Sequence, residues 1–239
     1  MFITIGLFLI FIYSIGFILS LIFLGLENVG RIRVYGRKHL FGHSVGVFIV
    51  SNHPSLLEIF LIPILFFPQF LIRPFHFFPW GVGDPKVFID NWYYVWMRIV
   101  RFVAVSKRET DPNDHTGRIR ATFRKVKKIL EKNQIVEYFP EGGRTCKRKL
   151  FVANEKGYKL GKLKRGFEEL QKTFEKPYVI IPLWISGTDI VLPVGKIIPR
   201  FHKSIITIKI GEPILVSPSQ IINCERMEQI LIQTADMYK

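Results

Sequence analysis

His53 and Glu58, five residues apart in the segment SNHPSLLEIF, are the first pair in this sequence able to move a proton. An imidazole changes charge near neutral pH, and a carboxylate beside it fixes its tautomer and stabilises the imidazolium that forms when it acts as a general base. On one helix a spacing of five turns two side chains about 140° apart. The pair therefore meets only if His53 lies in a turn and Glu58 sits about one turn into the helix that follows. A purely structural histidine fits the same spacing. The second constellation is YFPEGGRT, where Glu141, Gly142, Gly143 and Arg144 come directly after a β-type run. Glycine lets a ligand approach the backbone closely, and the arginine fork matches phosphate oxygens. A polar turn closing a strand has the same composition. Two further pieces are GKLKRGFEEL, with Lys164 and Gly166, and VIIPLWISGTD, an apolar run that ends in Gly187.

The elements around these residues alternate. RIRVYG reads as a short strand and Val45 to Ser51 as a fully buried one, ended by the NHPS turn, with Pro54 suited to the first position of a helix. Leu56 to Ile72 is almost wholly apolar but is interrupted by Pro63 and Pro68, which predicts a short helix and then kinked structure. With Phe75, Phe77, Phe78 and Trp80 this region either lines a lipid tunnel, rests on a bilayer or forms ordinary core. From His115 to Lys132 the residues Ile119, Phe123, Val126 and Leu130 fall at helical spacing, with arginines and lysines on the other faces. Strands follow at Gln134 to Phe139, Tyr178 to Ser186 and Ser204 to Ile210. Helices are predicted around Leu160 to Phe174 and from Pro218 onward. Such alternation argues for an α/β domain whose sheet is covered on both faces.

The 239 residues suit one domain of ordinary size, and 49% hydrophobic against 22% charged residues is too apolar for a disordered chain. Cys146 and Cys224 are far apart and form no C-x-x-C, so neither a disulfide framework nor a zinc site is predicted. Phe2 to Leu26 contains no charged residue and is long enough, as a helix, to cross a hydrocarbon core of about 30 Å. We therefore divide the chain into a membrane segment over 1–27 and a globular domain over 28–239. Ser14 and Gly16 near the middle of the run leave open a single span or two short helices dipping into one leaflet; a buried core helix is a third possibility. Arg31, Arg33, Arg37 and Lys38 follow directly, which by the positive-inside bias puts the remainder on the cytoplasmic face. The formal charge is +15, and Arg98 to Lys176, with 22 Lys or Arg against 10 Asp or Glu, carries +12 of it. No helix-turn-helix or RNP-like signature accompanies these bases, so an anionic membrane surface is the expected partner and nucleic acid is not.

In order, these pieces resemble the glycerophospholipid acyltransferase family that includes the bacterial 1-acyl-sn-glycerol-3-phosphate acyltransferases. NHPSLLE is similar to the family's N-H-x-x-x-x-D block and here reads H-x-x-x-x-E. FPEGGRT is similar to F-P-E-G-T-R-S, LKRG to F-K-x-G and VIIPLWISGT to V-I-P-V-x-x-x-G. The resemblance runs from about Arg31 to Ile214. It implies a single α/β domain with a mixed sheet flanked by helices, tethered by the amino-terminal segment. It implies acyl transfer from acyl-CoA or acyl carrier protein to the free hydroxyl of a lysophospholipid, with 1-acylglycerol 3-phosphate giving phosphatidic acid. His53 would be the general base, oriented by Glu58. Glu141, Gly142, Arg144, Arg108 and Lys164 would bind the acceptor, and no metal or resident cofactor is implied. Three departures stand out. Glu58 replaces the usual Asp, as in the related lipid A acyltransferases, and Gly143 replaces the usual Thr. The G-x-x-F-I-x-R block survives only as RFVAVSKR, where Arg108 matches and Lys107 competes. Another lysolipid or glycolipid acceptor, or a catalytically silent lipid-binding relative, are the alternatives.

Overall fold

Strand-forming runs of Val, Ile and aromatic residues supply a mixed sheet. In the computed structural model, residues 2–84, 101–105, 115–147, 149, 151–153, 157–218 and 220–238 are described. Helices α1 (Phe2–Phe11) and α2 (Phe17–Asn28) are joined without a break by a π-helical turn, Ile12–Gly16. Then come β1 (Ile32–Tyr35), β2 (Gly46–Ser51), α3 (Glu58–Ile64), α4 (Gln69–Ile72), α5 (Pro74–Phe77), β3 (Trp80–Gly83) and β4 (Phe102–Ala104). The second half holds α6 (His115–Leu130), β5 (Ile135–Tyr138), β6 (Phe151–Ala153), β7 (Lys159–Gly161), α7 (Gly166–Gln171), β8 (Tyr178–Ser186), α8 (Thr188–Val191), β9 (Ile206–Ile210), β10 (Ile214–Val216) and α9 (Cys224–Asp236).

The main sheet runs β1-β9-β8-β2-β5-β3-β4, with β10 also on β8, and β6 and β7 form a separate hairpin. The pairings of β8 with β9 and with β10 are antiparallel, while β2 lies parallel to both β8 and β5. A mixed sheet flanked by helices is the expected fold class.

Because side chains alternate across a strand, each face has its own core. Val47 and Ile49 of β2, Ile181, Leu183 and Ile185 of β8 and Ile206, Ile208 and Ile210 of β9 pack with Phe8, Ile12 and Phe23 of the amino-terminal helix and with Leu61, Phe66, Phe70 and Phe78. On the opposite face Phe48, Val50, Val136, Ile180 and Trp184 pack with Val126 and Leu130 of α6, Phe167 and Leu170 of α7 and Met227 and Leu231 of α9. Helix α6 is amphipathic as its spacing predicts, with Val126 and Leu130 buried and Arg124, Lys125 and Lys128 exposed. Asn223 caps α9 by accepting a 2.8 Å hydrogen bond from the Arg226 N–H.

The amino-terminal helix lies along the domain. Phe8 meets Phe75 and Phe78, and Phe17 meets Phe67. The hydroxyls of Ser14 and Ser20 donate to the carbonyls of Ile10 and Gly16, flanking the π turn. The helix is long and apolar enough to cross a membrane by length and composition, and about a third of it is buried. Ile10, Ile18, Leu21 and Ile22 stay exposed on the other side.

Two local readings are corrected. Pro54 does not start a helix: α3 begins at Glu58, because the Ser55 N–H turns back onto the Glu58 carboxylate and holds the intervening residues in a turn. Leu160 and Gly161 belong to β7, so the helix expected from Leu160 is the shorter α7. Phe78 is core, and Phe75 is exposed.

Candidate active site

Three loops at the carboxyl ends of the parallel strands converge on His53. Strand β2 ends at Ser51, and the next residue, Asn52, uses its amide to clamp β8: its Nδ2 donates to the Ile185 carbonyl and its Oδ1 accepts from the Ile185 N–H, both at 2.8 Å. The His53 N–H donates to Glu141 Oε1 at 2.8 Å and its carbonyl accepts from the Thr145 N–H at 2.7 Å. Its ring lies on that of Phe139, centroids 4.3 Å apart. His53 is thus fixed from both sides before any substrate arrives.

Glu58 is fully buried and stands 3.0 Å from His53 Nδ1 through Oε2. Both its oxygens accept from the Ser55 N–H, and Oε1 also accepts from the Thr188 hydroxyl. A carboxylate with donors on both oxygens accepts from His53 as well, so Nδ1 carries the ring proton and Nε2 is the basic nitrogen. Thr188 reaches Glu58 because Gly187 turns with φ of +84°, in a place where a Cβ would meet the Ile205 carbonyl oxygen at 2.3 Å. Only glycine meets both demands. The expected approach of Glu58 to a turn-borne His53 is therefore the observed arrangement, with Glu58 at the first helical position.

Glu141 departs from the expectation that it touches the acceptor. It is fully buried, and its oxygens accept from the His53 N–H, the Thr145 hydroxyl and the Gly161 N–H, each at 2.8 Å. Burial raises its pKa, opposed by these hydrogen bonds. Glu141 is a tie between the β2 turn, its own loop and β7. Lys164 is likewise behind the loop: its N–H donates to the Pro140 carbonyl at 3.0 Å, and its methylenes lie where a Cβ on Gly142, at φ of +68°, would fall.

A cavity of about 570 Å³ opens beside His53. Gly142, Gly143, Arg144 and Lys147 form one wall and Leu192 to Lys196 another, while Leu56, Ile59, Phe102 and Phe139 supply apolar lining. Arg144 faces this space, as its type suggested. Lys147 and Lys196 also line it; Lys147, three residues beyond Arg144 on the same 3₁₀ turn, was detectable from spacing. Arg108 and Lys107 lie outside the described residues. Asn52 and Thr188 were overlooked, although each adjoins a residue the motifs mark. No group of His, Cys, Asp or Glu able to hold a metal occurs among the described residues.

The arrangement is a buried acid, an imidazole with its basic nitrogen available, and cations across a cavity. It suits deprotonation of a hydroxyl on an anionic molecule. The crystal structure of the 1-acyl-sn-glycerophosphate (LPA) acyltransferase PlsC from Thermotoga maritima is similar in fold, with TM-score 0.55 and 18% identity over 86% of this chain and 71% of that one. Among curated proteins there is no match. The family model described as Acyltransferase matches residues 31–186, more than half of the chain, including the loops after β2 and β5 that meet at His53, and the chain belongs to that acyltransferase family, as its motifs led us to expect.

Proposed function

We propose that this acyltransferase moves an acyl chain from acyl-CoA or acyl carrier protein to the free hydroxyl of a lysophospholipid, with 1-acylglycerol 3-phosphate as acceptor and phosphatidic acid as product. The observation that carries the reading is the 3.0 Å contact of buried Glu58 with His53 Nδ1 at a cavity walled by Arg144. His53 Nε2 takes the hydroxyl proton as the oxygen attacks the thioester carbon, and Glu58 stabilises the imidazolium. Collapse of the tetrahedral intermediate breaks the C–S bond, and the departing thiolate takes the proton from Nε2. A thioester is already activated, so the reaction runs in one displacement without a covalent enzyme intermediate and without a resident cofactor. Arg144 binds the acceptor phosphate through its planar fork, with Lys147 and Lys196 adding charge and Arg108 a further contact.

The apolar amino-terminal helix over 1–27 holds the domain over 28–239 against the cytoplasmic leaflet, its exposed isoleucines and leucines in lipid and the basic middle third at the headgroups. Support for this comes from the helix's length, composition and exposed apolar side.

The test is to incubate the membrane-bound full chain with a panel of lysolipid acceptors and both thioester donors, and to identify products by mass. Conversion of the phosphate monoester in preference to neutral acceptors is expected. Equal use of a neutral acceptor overturns the phosphate assignment, and no transfer from either donor overturns the activity.

A further inference from the structure

Glu137 is the residue that the mechanism leaves unused. It sits on β5 between Ile135 and Phe139, on the face of the sheet that α3 to α5 and the amino-terminal helix cover. A charged residue there is out of place by pattern, since its same-face neighbours along the strand are core. It is only 1% exposed, and neither carboxyl oxygen has a hydrogen-bond partner. It nevertheless lines the His53 cavity. Opposite it in β3 stands Gly81, where a Cβ would lie 3.4 Å from Glu137 Oε1, in van der Waals contact. The next residue on the same face, Phe139, is the one stacked under His53. The unpaired carboxyl is therefore about one strand repeat, roughly 7 Å along β5, from the residue that supports the base.

A buried polar group without a partner costs stability, and a structural role gives no return for that cost because Glu137 ties nothing together. Its environment narrows what can satisfy it. Arg144, Lys147 and Lys196 outnumber Asp84 in the lining of the same cavity and disfavour a cation. An acyl chain laid against it would leave the carboxyl unpaired still. Burial and the neighbouring Glu58 charge both push its pKa well above 4.5, which favours the protonated carboxyl, a form that both donates and accepts.

We propose that Glu137 is a substrate-reading residue of this acyltransferase, hydrogen-bonding an uncharged O–H or N–H group of a bound substrate inside the cavity. This rests on the acyl-transfer reading above and sharpens it. Such a group has two sources, a hydroxyl of the acceptor or an amide N–H of the pantetheine arm that both thioester donors carry.

The experiment compares the full-length wild type with Glu137→Leu and Glu137→Gln, measuring KM separately for 1-acylglycerol 3-phosphate and for acyl-CoA, beside thermal unfolding. The leucine variant should unfold at a higher temperature, because an unpaired polar group is gone, yet show a KM raised about tenfold for one substrate. Glutamine, which keeps a donor and an acceptor, should restore KM to within about twofold. A rise confined to the acceptor KM assigns the hydroxyl, and one confined to the donor KM assigns the pantetheine amide. Unchanged KM values in a leucine variant of an active wild type overturn this inference alone. A wild type with no transfer activity overturns the activity reading and this one with it. Should the leucine variant not fold, Glu137→Met carries the same test, and failure of both to fold shows a structural carboxyl and refutes the proposal.

Discussion

The carboxylates behind His53 and the cations in front of it are held by opposite means. Glu58 and Glu141 are fully buried, and both oxygens of each accept hydrogen bonds, Glu58 from its own turn at His53 and Ser55 and from distant Thr188, Glu141 from Thr145 in its own loop and from distant His53 and Gly161. Arg144 is half-buried, Lys147 is exposed, and neither makes an ion pair with a described carboxylate. The first arrangement is complete without substrate, and the second, on the function proposed above, is completed by it. Groups held in place beforehand act on the rate of the chemical step, and groups held loosely act on binding.

Breaking the fixed side should have the largest effect. His53→Ala is expected to lower kcat by about 10²- to 10⁴-fold with unfolding temperature near that of wild type, and Glu58→Gln to be nearly as severe. The glutamine keeps the size but withdraws the charge that stabilises imidazolium. Activity of His53→Ala within a few-fold of wild type would show that the base lies elsewhere, and the same result for Glu58→Gln would show that the Glu58 charge is dispensable. Next in size is Glu141→Gln. The amide NH2 would face the backbone donor of either His53 or Gly161, leaving that N–H without its acceptor, so a loss of about 2–4 kcal/mol in stability is expected, read by denaturant unfolding. A stable variant with only a raised acceptor KM would restore Glu141 as a ligand and end the distinction drawn here.

The loose side should give graded changes. Arg144→Lys keeps the charge and loses the fork, and should raise the acceptor KM by about three- to tenfold, with Arg144→Ala raising it further and the donor KM unaffected by both. A fall in kcat at constant KM would place Arg144 with the fixed groups. The smallest effect concerns Glu137, whose pKa lies well above 4.5 through burial and the Glu58 charge. Above pH 4.5 the folded chain retains a proton that the unfolded chain has released, so stability falls as pH rises through this window. Glu137→Gln removes that dependence. The variant's advantage in unfolding temperature should therefore be small at pH 4.5 and wider at neutral pH, and a gap that does not widen would mean Glu137 is ionised in the fold.

Much of the site was legible because its decisive contact is local. His53 and Glu58 are five residues apart, and a turn followed by a helix is enough to join them. The long strands were legible too: β2 and β8 are unbroken apolar runs, readable without knowing their neighbours. Glu141 was not, since its partners are at positions 53, 145 and 161, and a glutamate before two glycines looks ligand-facing whether or not it is. Glu137 was hidden by alternation, because a single charged residue in IVEYF reads as the solvent side of a strand. Only the apolar layers packed on both faces of the sheet show that neither side is solvent. Strand β3, WGVG, has too few β-branched residues to stand out, and its place is set by tertiary pairing.

The pairing of β1 with β9 sets a timetable for synthesis. Ile32 to Tyr35 lie beside Ile206 to Lys209, so the first strand waits for nearly the whole chain. At about 5–20 residues per second the ribosome needs roughly 10 to 35 s to bridge that gap. Throughout the interval the amino-terminal helix is already made, and the β9 residues Ile206, Ile208 and Ile210, part of the apolar layer it shares in the finished fold, do not yet exist. The helix has its contacts with Phe67, Phe75 and Phe78 within reach early, and its seat against β9 is completed only once that strand has been made.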